Sequence, residues 1–444
     1  MPGSAGRETQ FPEGSVQGWS GHFHEGHRLY DLLANVRVIE GASFVAAPTC
    51  ALHLQQLGAE VIRFDAIGGG PDFRRWPKAG NGASYYWEGL NKGKKSVALA
   101  LDRPEGRDLA VALATAIGLL VTNYPAQGFL SHQRLARVRK DMITVRIMGW
   151  GDGKNALDYT VNAALGVPFM TGPAELGDRP VNHVLPAWDL ITGGYAAFVT
   201  LAAERHRRTT GNGGEVRIPL GDVAIAALGS LGQFGEVTAA GQDRPRYGND
   251  LYGAFGRDFE TMDGTRIMVT AISRRQWDVL VEALELTDAI QSLERALDVT
   301  FADDEGTRFE HRVALNSLVE EQIAKRAFKD IAERFERSGV TWGAYRTQLQ
   351  ALREDPQLSA ANPILSEVSH LTDSRYLTPG SPASIPHMPR SQAGRAPILG
   401  EHTEEVLGDI LGLSSKAIGS LIDRGVAAGP APDLIQKHGK IADS

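Results

Sequence analysis

The sequence predicts an α/β protein in which a parallel sheet is wrapped by helices and a second, smaller domain follows. Three observations carry this. Short apolar runs alternate with helix-length segments through the first half of the chain. After about Gly241 that alternation gives way to a hairpin pattern and a run of helices. The 444 residues, 42% hydrophobic and 22% charged, are enough for about two to three domains with ordinary cores.

Val36–Ile39 reads as a short buried strand and Pro48–Leu57 as the helix after it. Glu60–Phe64 and Ser96–Leu99 are the next strands, and Pro104 opens a helix at a first-turn position. Leu119–Thr122 and Ile143–Ile147 continue the pattern. A long helix runs from Asp189 to about Arg207, with Thr192, Gly193 and Gly194 in its first turn, where glycine is costly unless something packs closely. Gly211–Gly214 turns into the strand Glu215–Ile218. Leu251–Glu260, the Asp263-Gly264 turn and Ile267–Thr270 form the expected hairpin, followed by helices to about Ser338.

The expected organisation is an N-terminal mobile extension over 1–28, the first part of the large domain over 29–220 and a linker over 221–244. A small domain over 245–338 and a return to the large domain over 339–444 complete it. In that last part Gln348–Arg353 and Glu401–Leu411 read as helices, and the Pro-rich stretch Pro379–Pro397 as a strap across a surface.

Composition narrows the function. The single Cys50 excludes an internal disulfide and fits a reducing compartment. A net charge of −7 gives no general attraction for nucleic acid. Apolar runs such as Ala110–Val121 are too short to span a bilayer, and the N-terminus lacks a signal peptide's basic start and apolar run. The expectation is a cytoplasmic protein with no nucleic-acid or membrane partner.

Asp189 is the leading candidate for chemistry. A carboxylate at a helix start is often only a cap. The same position favours an anion, which would keep the group ionised and nucleophilic, and the N–H groups of Gly193 and Gly194 could stabilise an oxyanion. Spacing does not decide between these readings. The run Leu90-Asn91-Lys92-Gly93-Lys94-Lys95-Ser96 is either a solvated loop or a phosphate site, to which Arg63 could add charge. Gly149-Trp150-Gly151-Asp152-Gly153-Lys154 has the wrong spacing for a nucleotide phosphate loop, and Asn155 replaces the required Ser or Thr. His22, His24, Glu25 and His27 have ligand-like side chains, but they lie in the extension and no metal site is expected. Cys50, in an apolar helix without an adjacent His, reads as a small buried filler rather than an acyl acceptor.

Taken in order, several motifs resemble the class III CoA-transferase family. They include Phe44-Val45-Ala46-Ala47-Pro48, Leu57-Gly58-Ala59-Glu60-Val61-Ile62-Arg63, the Leu90–Ser96 run and Val121-Thr122-Asn123-Tyr124. Asp158-Tyr159-Thr160-Val161-Asn162, Met170-Thr171-Gly172, Asp189, Ala202-Ala203-Glu204-Arg205 and Gly400-Glu401-His402-Thr403 follow, so the resemblance spans about residues 32 to 415. Within the family it is strongest to members that move CoA between the C1 and C4 carboxylates of one methylfumaryl acid. Asn182-His183-Val184-Leu185-Pro186-Ala187-Trp188-Asp189 and Leu251-Tyr252-Gly253-Ala254-Phe255 carry that part, among others.

The resemblance implies a Rossmann-like large domain, a smaller α+β domain and an interlocked homodimer. It implies Asp189 as the catalytic nucleophile, an acyl-CoA thioester as substrate, and no separate cofactor, since CoA is part of the substrate. CoA contacts are expected at Val45, Ala46, Arg63, Lys92, Lys94, Lys95, Asn123, Tyr124 and Asp158. His183, Arg246, Asn249 and Tyr252 are expected to hold the acid. Two positions depart from relatives. The family's racemases carry His before the Asp at the Asp158 position, where this chain has Leu157, which counts against proton exchange. Its formyl-CoA transferases end the second strand with a CoA-contacting Arg, where this chain has Ala66.

Overall fold

A computed structural model describes residues 29–430. Six parallel strands form the large sheet: β1 (Arg37–Gly41), β2 (Glu60–Ala66), β3 (Lys95–Leu99), β4 (Leu119–Thr122), β5 (Ile143–Met148) and β6 (Gly214–Pro219). A three-stranded antiparallel sheet holds β7 (Phe255–Glu260), β8 (Arg266–Ala271) and β9 (Thr341–Ala344). A hairpin of β10 (Leu365–Ser369) and β11 (Arg375–Pro379) follows. Last, β12 (Ala427–Ala428) adds antiparallel to the edge of β3.

The large sheet has the order β12-β3-β2-β1-β4-β5-β6. From β1 the chain winds one way through β2 and β3, then returns to start the other way at β4. The loops after β1 and β4 therefore diverge, leaving a crevice at the carboxyl ends of these strands. Asn123 bridges it: its side chain accepts from the Ser43 backbone N–H at 3.2 Å and donates to the Ser43 carbonyl at 2.8 Å.

Alternation along the strands fills both faces of the sheet. Ile39, Ile62, Val97 and Leu120 pack against the Pro104–Ile117 and Thr403–Leu411 helices. Val38, Val61, Val121 and Val145 pack against the Ala46–Gln56 and Ala187–Thr210 helices. Phe255, Val269, Trp277, Leu280 and Phe335 centre a separate core around the antiparallel sheet. Gly211, with φ 75°, ends the Ala187–Thr210 helix in the left-handed conformation that favours glycine.

Two regions differ from the sequence-based reading. The expected linker over 221–244 is mostly helical, as Leu220–Ser230 and Gln233–Ala240. Before the strap lies the β10–β11 hairpin, whose turn uses Asp373 at φ 56° rather than a glycine pair. The strap is tied to the large sheet's layer by Trp87 Nε1 donating to Pro397 O (3.0 Å), Gly93 N to Arg395 O (3.0 Å) and Lys92 Nζ to Pro379 O (2.8 Å). Among the described residues, no single helix is long and apolar enough to cross a membrane.

Candidate active site

The Ala46–Gln56 and Ala187–Thr210 helices lie side by side behind the crevice. Gly193 permits this: a Cβ there would meet Thr49 Cβ at 2.7 Å and the Ala46 carbonyl at 2.8 Å. Cys50 Sγ lies 3.8 Å from Thr200 Oγ1 one level below. Pairing of 46 with 193 and of 50 with 200 means the helices run parallel. Asp189, one turn before Gly193, is thus level with Phe44 and Val45, at the start of the neighbouring helix. That start has no side-chain cap, and Phe44 before it is held at φ 71°.

The Ala187–Thr210 helix is capped from outside. Asp158 Oδ2 accepts from the N–H groups of Trp188 (2.7 Å) and Asp189 (3.2 Å), while Oδ1 meets His183 Nε2 at 2.9 Å. Trp188 Nε1 donates to Asn162 Oδ1 at 3.1 Å, fixing the same turn to the helix Asp158–Ala164. This arrangement corrects two expectations. The helix terminus does not hold Asp189 ionised. Its nearest N–H groups already bind another carboxylate, and burial followed by the charge of Asp158 pushes Asp189 up to about 7, against the opposing pull of Arg75. Gly193 and Gly194 are not oxyanion donors either. The helix starts at Ala187, two residues earlier than expected, so their N–H groups belong to its hydrogen-bond ladder.

Around Asp189 stand groups the sequence reading passed over. Arg75, exposed, lies over the rings of Phe44 (5.5 Å) and Tyr86 (5.3 Å). The Tyr86 hydroxyl is buried with no hydrogen-bond partner among the described residues, and burial raises its pKa. The hydroxyls of Thr49 and Thr192 are likewise buried and unpartnered. Residues 67–84 have no periodicity, so nothing in the sequence points to Arg75; only the positive φ at Phe44 marks the place in the backbone.

Of the expected CoA contacts, Val45, Ala46 and Asn123 line the crevice mouth, and Asp158 caps the Asp189 helix. Tyr124 packs on Phe64 and Phe129, with ring centroids 6.4 and 5.5 Å away. The basic residues turn inward. Arg63, fully buried, binds Glu40 (3.0 Å), Asp65 (2.8 Å), Asp72 (2.8 Å) and Asn91 (3.3 Å). Lys94 pairs with Glu40 at 2.7 Å, and Lys95 bridges Glu60 (2.6 Å) and Glu405 (2.7 Å). Lys92, lowered to about 8 by burial, donates to the strap. These four cations are engaged by the protein itself, so a loop offering them to phosphate is not what the fold builds.

Of the expected acid contacts, only His183 borders Asp189, through Asp158. Arg246 donates to the carbonyls of Thr171 and Arg179, Asn249 to Asp258 (3.1 Å), and Tyr252 to Glu236. No contact among the described residues joins these three to Asp189. Leu157, at the start of the Asp158–Ala164 helix, offers no acid or base. Cys50 is buried and pushed up to about 12, which removes it as a nucleophile. Among the described residues no group of side chains is arranged to hold a metal ion, and His22, His24, Glu25 and His27 lie outside those residues.

A half-buried carboxyl raised to about 7 beside an uncapped helix start, at a topological switch point, suits covalent acyl chemistry on a large ligand. Residues 33–403 match the model of CoA-transferase family III, and the chain belongs to that family. It is 48% identical over 404 residues, 90% of this chain and 98% of the relative, to 2-methylfumaryl-CoA isomerase of Chloroflexus aurantiacus. It is 26% identical over 422 residues, 92% of each chain, to human succinyl-CoA:glutarate CoA-transferase. A CAIB/BAIF family protein from Brucella suis has the same fold, with a TM-score of 0.69 over 86% of this chain and all of that one, at 22% identity.

Proposed function

We propose that the chain is an intramolecular CoA transferase converting 2-methylfumaryl-CoA into 3-methylfumaryl-CoA, with Asp189 as the nucleophile. The observation that carries this reading is the 48% identity to the Chloroflexus isomerase across nearly the whole of both chains.

The ionised Asp189 carboxylate attacks the C1 thioester carbonyl, and CoA leaves as thiolate, giving an aspartyl–methylfumaryl anhydride. The thiolate attacks the aspartyl carbonyl and expels the C1 carboxylate, leaving aspartyl-CoA and the free dicarboxylate. The C4 carboxylate attacks aspartyl-CoA and expels the thiolate, forming the second anhydride. The thiolate then attacks the C4 carbonyl and returns Asp189 as carboxylate. Each step exchanges one acyl bond for another without net proton change, so the two thioesters of one acid interconvert with no energy source. The N–H groups of Ala46 and Ala47, at the uncapped helix start level with Asp189, are the donors we assign to the tetrahedral oxyanions.

An intermolecular transferase is the second reading, supported by the family relationship to enzymes named for two acids. Turnover of 2-methylfumaryl-CoA in the presence of labelled free methylfumarate separates the two. Little label enters the thioester pool if transfer is intramolecular, and rapid entry would sink that reading. Asp189→Asn should lower turnover by at least about 10⁴-fold. Hydroxylamine should trap a mass shift on the Asp189 peptide of the unsubstituted enzyme alone.

The assembly we propose is an interlocked homodimer, with a large domain over 29–220 and 339–444 and a small domain over 245–338. Ile191, Tyr195 and Phe198 form an exposed stripe at helical spacing, and Leu231, just after the Leu220–Ser230 helix, and Phe234, on the next helix, add apolar surface. A second copy would remove this surface from water.

A further inference from the structure

Arg75 contrasts with the buried and half-buried cations of this fold. Its guanidinium makes no hydrogen bond or ion pair among the described residues, yet it is not free to wander. It lies over the rings of Phe44 and Tyr86, each within 5.5 Å of its Cζ. Its backbone is fixed on both sides: the Arg75 N–H donates to Asp72 O at 3.3 Å, and the Arg75 carbonyl accepts from Ser84 Oγ at 2.6 Å. The side chain is therefore positioned by aromatic contact, with its N–H edges left over.

Its place relative to Asp189 is the second observation. Gly193 packs on Ala46 and Thr49, which sets Asp189, one turn earlier, level with Phe44, and Arg75 lies over the Phe44 ring, so cation and nucleophile border one site. Arg75 and Asp189 form no ion pair with one another, so the guanidinium keeps its N–H edges for another carboxylate.

We propose that Arg75 is the specificity-determining residue that holds the non-reacting carboxylate of the dicarboxylic acid. This rests on the transferase reading above. A guanidinium fork binds a carboxylate through two parallel N–H···O bonds. At the first acylation the C4 carboxylate occupies it, while C1 faces Asp189. Once aspartyl-CoA has formed, the free acid is held only by non-covalent contacts. It then exchanges ends: the C1 carboxylate takes the place on Arg75 and C4 meets the aspartyl thioester. The same cation thus serves both halves of the reaction, holding C4 before the exchange and C1 after it. Phe44 and Tyr86 are positioning residues that keep the fork flat above them. A monocarboxylic acyl group would acylate Asp189 without this tether.

The test uses the full-length enzyme and 2-methylfumaryl-CoA with Arg75→Gln, Arg75→Lys and the unsubstituted protein. Three quantities are read: isomerisation rate, free methylfumarate released, and CoA trapped on Asp189. Arg75→Gln should isomerise about 100-fold more slowly, release free acid and accumulate aspartyl-CoA, with label from added methylfumarate entering the product. Arg75→Lys, which keeps the charge but not the fork, should fall between. Isomerisation by Arg75→Gln at the unsubstituted rate without release overturns the assignment. So does loss of CoA capture in a folded Arg75→Gln variant, which would make Arg75 a partner of Asp189 rather than of the acid. No isomerisation by the unsubstituted enzyme would instead overturn the transferase reading itself.

Discussion

Two arginines twelve positions apart show how differently this fold treats a cation. Arg63, on β2, is fully buried and engages Glu40, Asp65, Asp72 and Asn91, with Lys94 completing the cluster through Glu40. Arg75, in the loop after the strand, is exposed, stacked and unpaired among the described residues. A buried charge is tolerated only with partners, so the first arrangement belongs to the architecture. An unpaired one persists where solvent or a ligand meets it, so the second belongs to the site. The difference teaches that the density of charge in this sequence is a poor guide to function, whereas unused hydrogen-bonding capacity is a good one.

The largest effect should come from breaking the paired region. Arg63→Met strands three carboxylates beside a lone Lys94 and should cost about 3–5 kcal/mol of stability, read as a lower denaturant midpoint. A fall of less than about 1 kcal/mol would mean the cluster is solvated and the contrast unreal.

Asp189 gives the next effect, and it couples rate to stability. With its pKa near 7 in the free enzyme, the nucleophilic form appears as pH rises, so kcat/KM should climb through about pH 7 on the acid side. A carboxyl raised on folding favours the native state below its unfolded value. That contribution is lost as pH rises from about 4 towards 7. Asp189→Asn should therefore unfold later than the parent at pH 8, by about 2 kcal/mol, and lose most of that advantage by pH 4. Equal stabilities at pH 8 would show that ionised Asp189 is well solvated.

The smallest effect is expected at Arg75, where the Gln variant should shift stability by no more than about 0.5 kcal/mol despite its loss of isomerisation. A large destabilisation would erase the distinction between the two arginines.

Much of the framework was legible in the chain. All six parallel strands fall within a residue or two of their expected positions, because buried β-branched runs bounded by turn residues leave few alternatives. The β10–β11 hairpin was not, since its turn relies on Asp373 at positive φ rather than a glycine pair. The Asp189 helix begins early because its cap, Asp158, comes from thirty residues away, outside any local window. The Lys92–Lys95 run looked available for phosphate because Glu40, Glu405 and Pro379, which engage it, are remote in sequence. Arg75 stayed hidden for the converse reason: what marks it is the absence of partners, a property no motif encodes.

The strap has a consequence for biosynthesis. Trp87 and Lys92 find their acceptors at Pro397 and Pro379, and β12, near the end of the described chain, closes the edge of β3. A nascent chain that has emerged only to the small domain holds β3 with one side open and a buried-type lysine without its carbonyl. The half of the sheet made first is thus completed last, and a ribosome-stalled fragment ending before residue 365 should remain a substrate for chaperones until the final segment arrives.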